Sequence, residues 1–333
     1  MRSQNFGIEV EMTGITRATA ARVIAGHFNT EASHIGGVYS AYGVNDDRGR
    51  LWKCLFDSSI DRYSGGQQTH DGNYSVELVS PILKYEDIET LQSIIRKLRT
   101  AGAKVNASCG IHVHIDASRH TPQTLKNIVN IIAAKEDLLY KTLKVKVSRE
   151  HFCQKTDTRF LDQINRSHPR STAEIRHLWY DGVDGSHTHY HRSRYHGLNL
   201  HSVFSHGTIE FRIFNSTLHA GEIKSYIQLC LAVSHQALIQ KGARHARTSS
   251  SNEKYTFRTW LLHLGMIGDE FKTARKHLLK NLEGNIAWKD PAQAEVQRQR
   301  MRENGQREEG QAREDGCSAD GESAGESLQP MSM

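Results

Sequence analysis

The chain has 333 residues, of which 37% are hydrophobic and 24% charged, a balance expected of a globular protein with a sizeable core. No run approaches the roughly 18 apolar residues of a membrane helix, and the N-terminus enters a strand-like pattern without a signal-peptide layout. No membrane association and a cytoplasmic location are therefore expected. The formal net charge of +6 suits a protein that handles phosphates or carboxylates. Without an RNA- or DNA-binding motif beside that charge, nucleic acid is not expected as a partner. The cysteines Cys54, Cys109, Cys153, Cys230 and Cys317 are odd in number, widely spaced and free of any C-x-x-C pair. That spacing argues against a disulfide framework and against a cysteine zinc cage.

Phe6, Ile8 and Val10 recur at every second position and predict a strand. Thr16 is placed to cap a helix reaching about Phe28, with Ala20, Val23, Ile24 and His27 on one face. Residues 29–50, rich in Gly, Asn, Asp and Ser, read as a loop or weak hairpin. Strands follow over Leu51–Phe56 and Tyr74–Val79, the second stopped by Pro81. Glu86–Thr100 is an amphipathic helix through Ile88, Leu91, Ile94, Ile95 and Leu98, with Gly102 at its C-terminal end. Ile111–Ile115 alternates again. Thr121 and Pro122 start a helix that runs towards Leu139. Residues 148–197 are polar, rich in His and Arg and poorly periodic, so loops with short helices are expected there. Leu198–Phe204 and Thr208–Phe214 read as a hairpin turning near His206-Gly207. Helices over Ala220–Gln240, Tyr255–Leu264 and Phe271–Leu279 close the ordered part. From about residue 291 Gln, Arg, Glu, Gly and Ser dominate, and such a segment cannot bury enough surface to offset its ordering entropy. The expected layout is one domain over 1–290 and a disordered polar tail over 291–333. The fold class is α+β: antiparallel strands with helices to one side.

Several of these strands carry charged or metal-binding residues at alternate positions, which places them on one face. Glu9 and Glu11 share a face, about 6–7 Å apart along the strand. Like carboxylates so placed are unfavourable unless they are solvated or bridged by cations. His112, His114 and Asp116 line up in the same way, as do Glu210 and Arg212, and Glu77 stands between apolar neighbours. Each has a plainer reading: an exposed strand face, partly buried histidines, a same-strand ion pair. An H-x-H strand is also a zinc-binding arrangement. Taken together, oxygen-rich carboxylates suit Mg²⁺ or Mn²⁺, and an arginine beside them suits phosphate. That mixture is what a phosphoryl-transfer site needs. No P-loop, dinucleotide fingerprint, H-E-x-x-H or G-x-S-x-G is present, so a nucleotide would need another architecture. The tract His187-Thr188-His189-Tyr190-His191 lacks matching ligand spacing and reads as a loop rather than a metal site.

Six segments in order resemble the amidoligases, relatives of glutamine synthetase and glutamate–cysteine ligase. They are F-G-I-E-V-E at 6–11, W-K-C-L-F-D-S-S-I at 52–60 and V-E-L-V-S-P-I-L at 76–83, then C-G-I-H-V-H-I-D at 109–116, R-Y-H-G-L-N-L at 194–200 and G-T-I-E-F-R-I-F at 207–214. The resemblance implies a glutamine-synthetase-like curved antiparallel sheet forming an open funnel. It also implies an ATP- and Mg²⁺- (or Mn²⁺-) dependent ligase that joins a carboxylate to an amine through an acyl phosphate. On the family pattern Glu9, Glu11, Glu77, His112 and Glu210 would be metal ligands, and Arg212 would face the transferred phosphoryl group. His114 would approach the nucleotide or its phosphates, and Arg194 and Asn199 would hold phosphate or substrate. Lys53, Asp57 and Ser59 would line the pocket, with Asp57 accepting the amine proton. The resemblance spans about residues 6–235 and assigns nothing to the substrate-facing stretch 148–197. Its implied partners are a small-molecule or peptide carboxylate and an amine donor, and it is compatible with a homo-oligomer or an ammonia-supplying enzyme. Two other readings compete: a zinc hydrolase using His112 and His114, and a catalytically inactive scaffold of the same fold.

Overall fold

A computed structural model of the chain describes residues 1–290, 292–293, 295–304 and 306. Two compact units divide it: Met1–Ser249 with Phe257–Leu282, and Ser250–Thr256 with the chain from Glu283. The elements are β1 (Phe6–Met12), α1 (Arg17–Phe28), β2 (Ala32–Gly36), β3 (Ala41–Asn45), β4 (Leu51–Leu55), β5 (Tyr63–Ser64), β6 (Gln67–Gln68), β7 (Val76–Val79), α2 (Ile88–Thr100) and β8 (Gly110–Asp116). They continue with α3 (Pro122–Leu143), α4 (Thr158–Ser167), α5 (Thr172–Trp179), β9 (Leu198–Asn199), α6 (His201–His206), β10 (Thr208–Asn215), α7 (Ala220–Ile239), α8 (Glu253–His263) and α9 (Lys272–Leu279).

In the first unit eight strands form one antiparallel sheet in the order β2-β3-β4-β7-β1-β8-β10-β9. The fold is therefore α+β, with a large open sheet. Period-two alternation gives the sheet its two characters. Phe6, Ile8, Val10 and Met12 of β1 are each at most 2% exposed, and they join Leu78, Ile111, Val113 and Phe211 in one core. Burying each such side chain contributes about 1.5–3 kcal/mol. Ala20 and Ile24 of α1, Leu91 and Ile95 of α2, Ile128 of α3 and Ile227 of α7 belong to the same core. The apolar stripe of α2 is buried as its spacing predicts, and Gly102 after it adopts φ +101°, which a side chain would resist. Thr121 caps α3 in a reciprocal bond with Thr124, with Pro122 in its first turn.

Arg50 ties the β3–β4 turn to the start of α2. Its guanidinium bonds Asp46 at 2.8 Å and Asp87 at 2.9 and 3.0 Å. Asp46 also accepts from the backbone N–H of Arg48 and Arg50 and from the Trp52 indole. Burial would raise both acids, but these donors overcome it and hold them below the usual carboxylate range.

Two expectations differ from the structure, and a third, a loop or weak hairpin over 29–50, resolves in favour of the hairpin. Residues 29–50 hold a true hairpin, β2–β3, whose β2 is an exposed edge strand. The strand expected over Tyr74–Val79 begins only at Val76, because Gly72–Tyr74 form a short 3₁₀ turn capped by Asp71. The strand expected over Leu198–Phe204 pairs for two residues only and then becomes α6. There the Asn199 side-chain oxygen accepts the N–H of His201, and Gly207, at φ +73°, ends a helix instead of turning a hairpin. Within the second unit Asn252 donates to the carbonyl of Trp288 and accepts from the N–H of Tyr255. Residues 295–304 are helical. Residues 292–293 and 306 are helical as well, and the other residues of the tail expected to be disordered lie outside the described residues.

Candidate active site

The polar face of the sheet is built by register. Glu9 lies opposite His112, Glu11 opposite Glu77, and Glu210 opposite both His114 and Asn199. Cross-strand partners point to the same side, so five strands deliver their polar residues to one patch. The histidines and carboxylates interlock. His112 Nδ1 lies 2.7 Å from Glu9 Oε2, and His112 Nε2 lies 3.7 Å from Glu11 Oε1. His114 bonds Thr208 through Nδ1, and its Nε2 lies 3.3 Å from Glu9 without hydrogen-bond geometry. The Glu11 carboxylate accepts the N–H of Gly110 at 2.6 Å, which fixes its orientation.

β10 carries a bulge between Phe211 and Phe214, one residue more than β8 opposite it. Arg212 sits in the bulge, on the polar face, with its NH1 on Glu210 Oε1 and its buried Nε unpartnered. Burial opposes ionisation of Glu210, but Arg212, His114 and His112 outweigh it and bring its pKa down to about 2. Glu9 is likewise held well below the usual range: His114 and His112 outweigh its burial. His114 is raised, burial being overcome by Glu9 and Glu210. Glu77 goes the other way. Burial, then Glu9, Glu11 and Asp57, push its carboxyl well above the usual range.

Three groups of side chains bring their ligand atoms within 4.8 Å of one another: Glu9–Glu77–His112, Glu9–His114–Glu210 and Glu11–Asp57–Glu77. Glu9 and Glu77 each belong to two groups, so the carboxylates form a continuous chain. The donors are mostly oxygen, which fits Mg²⁺ or Mn²⁺. An unfavourably ionised Glu77 among three other acids, and a buried His114 Nε2 without a hydrogen bond, fit a site that takes a cation. His112 and His114 fall in different groups, so a nitrogen-rich zinc cage is not assembled.

Beside this chain, at the Glu11–Asp57 end, lies a cavity of about 550 Å³. His112 and Arg212 form part of its wall, together with Asp57, Ser59 and Arg194. Asp57 Oδ1 accepts from both the N–H and the hydroxyl of Ser59, each at 2.6 Å. That bonding, and its grouping with Glu11 and Glu77, suit Asp57 to holding a cation better than to accepting a proton. Asn199 does not reach the cavity. Its side-chain N–H donates to Glu210 at 2.7 Å and its side-chain oxygen accepts the N–H of His201, so it positions Glu210. Lys53 is in register with Val79, itself opposite Glu9, so it shares the row two strands away and is not a wall of the cavity.

Sequence reasoning missed the rest of the wall. Arg149, Phe152 and Tyr195 come from the stretch left unassigned, and Tyr39 from the β2–β3 hairpin. Tyr39 bonds His189 at 3.1 Å and Tyr190 at 3.3 Å, which brings the histidine tract to the cavity. None of its histidines joins a metal-holding group among the described residues. Arg149 is 3% exposed and donates to the carbonyls of Phe214 and Arg212. A Cβ on Gly110 would lie 2.2 Å from its guanidinium, so any side chain there would displace Arg149.

A family model described as "Putative amidoligase enzyme" matches residues 2–234. The chain belongs to the amidoligase family. The match takes in all eight strands of the sheet and the whole polar face, and it makes this amidoligase a ligase-type enzyme. None of the curated proteins compared with the chain matches it significantly. Among the described residues no helix is long and apolar enough to cross a membrane.

Proposed function

We propose that this amidoligase is an ATP- and Mg²⁺- (or Mn²⁺-) dependent carboxylate–amine ligase on a glutamine-synthetase-like sheet, working through an acyl phosphate. The observation that carries the reading is the unbroken chain of carboxylates from Glu210 to Asp57 on one sheet face, with Arg212 in the bulge beside it. Glu9, Glu11, Glu77, Asp57, His112, His114 and Glu210 are the residues that would hold the cations. A bound cation would supply charge neutralisation between these acids and the nucleotide phosphates.

In the first step an oxygen of the substrate carboxylate attacks the γ-phosphorus of ATP, and the bond to the bridging oxygen breaks with release of ADP. Arg212 faces the charge that develops on the transferred group, and Glu210 fixes the guanidinium for that task. In the second step the amine attacks the acyl carbon, phosphate departs with the bonding pair, and the amine's proton passes to the departing phosphate. The aromatic walls contributed by Tyr39, Phe152 and Tyr195 limit water around the activated acyl group, which water would otherwise hydrolyse.

The test is calorimetric titration of the full chain with a non-hydrolysable ATP analogue, with and without Mg²⁺, on wild type and on Glu9→Ala/Glu11→Ala. Metal-dependent binding that disappears in the folded variant supports the ligase. No binding to wild type at millimolar nucleotide, or binding indifferent to metal and to both glutamates, would sink it.

A further inference from the structure

We infer that a second cavity, walled by the ends of α3 and β10 and by residues of α7 and α9, binds the phosphate group of a small polar ligand through Lys144, Lys146 and two hydroxyls. Its volume is about 400 Å³, and it shares no wall residue with the cavity beside the carboxylate chain. The inference therefore stands apart from the ligase reading. Three lysines, Lys144, Lys146 and Lys280, line this cavity against a single carboxylate, Glu222. Both oxygens of Glu222 are engaged. Oε1 pairs with Lys280 and lies 3.8 Å from His277 Nδ1, and Oε2 accepts from Thr217 at 2.8 Å. That leaves Lys144 and Lys146, neither of which pairs with a carboxylate among the described residues. Lys146 Nζ reaches only the neutral carbonyl of Asn106, at 3.4 Å.

Local structure sets the two lysines in place. Lys144 ends α3 in the left-handed conformation, at φ +47°, and the N–H of Lys146 donates to Asn215 Oδ1 at 3.2 Å. The Asn215 amide donates in return to the carbonyls of Leu143 and Lys144, at 3.2 and 2.8 Å, and Asn281 donates to that of Thr142 at 2.8 Å. Side-chain amides thus cover the last carbonyls of α3, the negative end of the helix. Donors are what the wall has left over. Thr142 is 1% exposed and its hydroxyl has no partner. Tyr226 stacks on Phe214, 4.4 Å between centroids, and its hydroxyl makes no hydrogen bond among the described residues. Burial and then Glu222 push that phenol up, so it stays a proton donor. A buried hydroxyl without a partner is costly, and two ammonium groups with no carboxylate on them favour an anion with several acceptor oxygens. A phosphate group is such an anion. Leu143 is the only aliphatic residue of the wall, so the body that carries the phosphate is polar as well. The free ion and a phosphate ester of a small hydroxylated molecule present the same group to these donors.

The experiment is calorimetric titration of the full chain at constant ionic strength, in a chelator and without nucleotide, with ribose 5-phosphate, inorganic phosphate and ribose as probes. Both phosphates should bind and ribose should not. Tighter binding of ribose 5-phosphate makes the occupant an ester, and equal binding of the two makes it the free ion. Lys144→Gln/Lys146→Gln, at two exposed positions, should weaken phosphate by about ten- to a hundredfold, the range of lost charge-assisted hydrogen bonds. Thr142→Val should weaken it by about three- to tenfold while its urea midpoint stays at or above that of wild type, since the hydroxyl it removes has no partner to lose. No phosphate binding to wild type at millimolar concentration, ribose bound as tightly as its phosphate, or binding indifferent to both variants overturns the inference. So does binding lost in Arg194→Gln but kept in the lysine variant, which would place the phosphate in the other cavity.

Discussion

Replacing Glu77 by glutamine should stabilise the cation-free protein, although it removes a charged group from the site. Glu77 shares 4.8 Å spheres with Glu9 and with the Glu11–Asp57 pair. One repulsion at that distance amounts to about 1 kcal/mol at the dielectric of water and about 3–4 kcal/mol at an effective value of 20. Because the side chain is half-buried, we take the lower end for each neighbour and allow for relaxation. Glu77→Gln should then gain about 1–3 kcal/mol at pH 8 in a chelator, or roughly 2–6 °C in Tm. The sign follows from the raised pKa: the folded state resists ionising this acid. Below the unfolded value both states carry the proton and the gain vanishes; as pH climbs towards the folded value the wild type loses ground and the gain appears. Adding Mn²⁺ should reverse the order, stabilising wild type more than the variant. The assay is urea unfolding at pH 5 and pH 8, with chelator or with Mn²⁺. A variant less stable than wild type at pH 8 in chelator, or equal stabilisation of both proteins by Mn²⁺, would refute the repulsion argument.

Other perturbations follow from single contacts. Gly110→Ala should cost about 1–3 kcal/mol in urea unfolding and weaken ligand binding in the cavity, because the new methyl meets a guanidinium pinned by two carbonyls. Arg50→Met should cost about 3–5 kcal/mol, since it strands Asp46 and Asp87, both at 4% exposure, and restoring apolar volume does not repair them. Burial holds His120 and His201 neutral, each with its pKa at about 4. Their contribution is present above the unfolded value of about 6.5 and is lost as pH falls towards 4, on the order of 1–3 kcal/mol each. Urea midpoints measured from pH 7 to pH 4 should fall less steeply in His120→Asn and His201→Asn than in wild type.

The parts of the fold that were legible are those where one period governs a whole segment. β1 and β8 alternate without interruption, and α2 repeats Ile and Leu at helical spacing, so local pattern and tertiary burial agree. Glu9, Glu11, His112 and Glu210 were legible for the same reason: charge on alternate positions of an otherwise apolar strand specifies which face it occupies. The β9–α6 junction was misread because Leu198, Leu200 and Phe204 satisfy period two while Asn199 spends its side chain on Glu210 and on a helix cap. The bond to Glu210 spans eleven residues and has no local signature. Arg149 was invisible for a similar reason. Its importance depends on a glycine at the start of β8 and on carbonyls of β10, neither of which a polar, aperiodic stretch announces.

The bulge in β10 carries a consequence for that arginine. Phe211 pairs with Val113 and Phe214 with Ile111, so removing Ile213 would leave an uninterrupted ladder with both phenylalanines still facing inward. Sheet pairing therefore does not require the extra residue, although Ile213 itself is buried in the core. What it frees is a pair of carbonyls, those of Arg212 and Phe214, and both are donated to by Arg149. The strand gives up one rung of regular pairing and gains a socket for a cation, so a chain lacking Ile213 should keep its strand ladder, forfeit one buried side chain and lose its grip on Arg149.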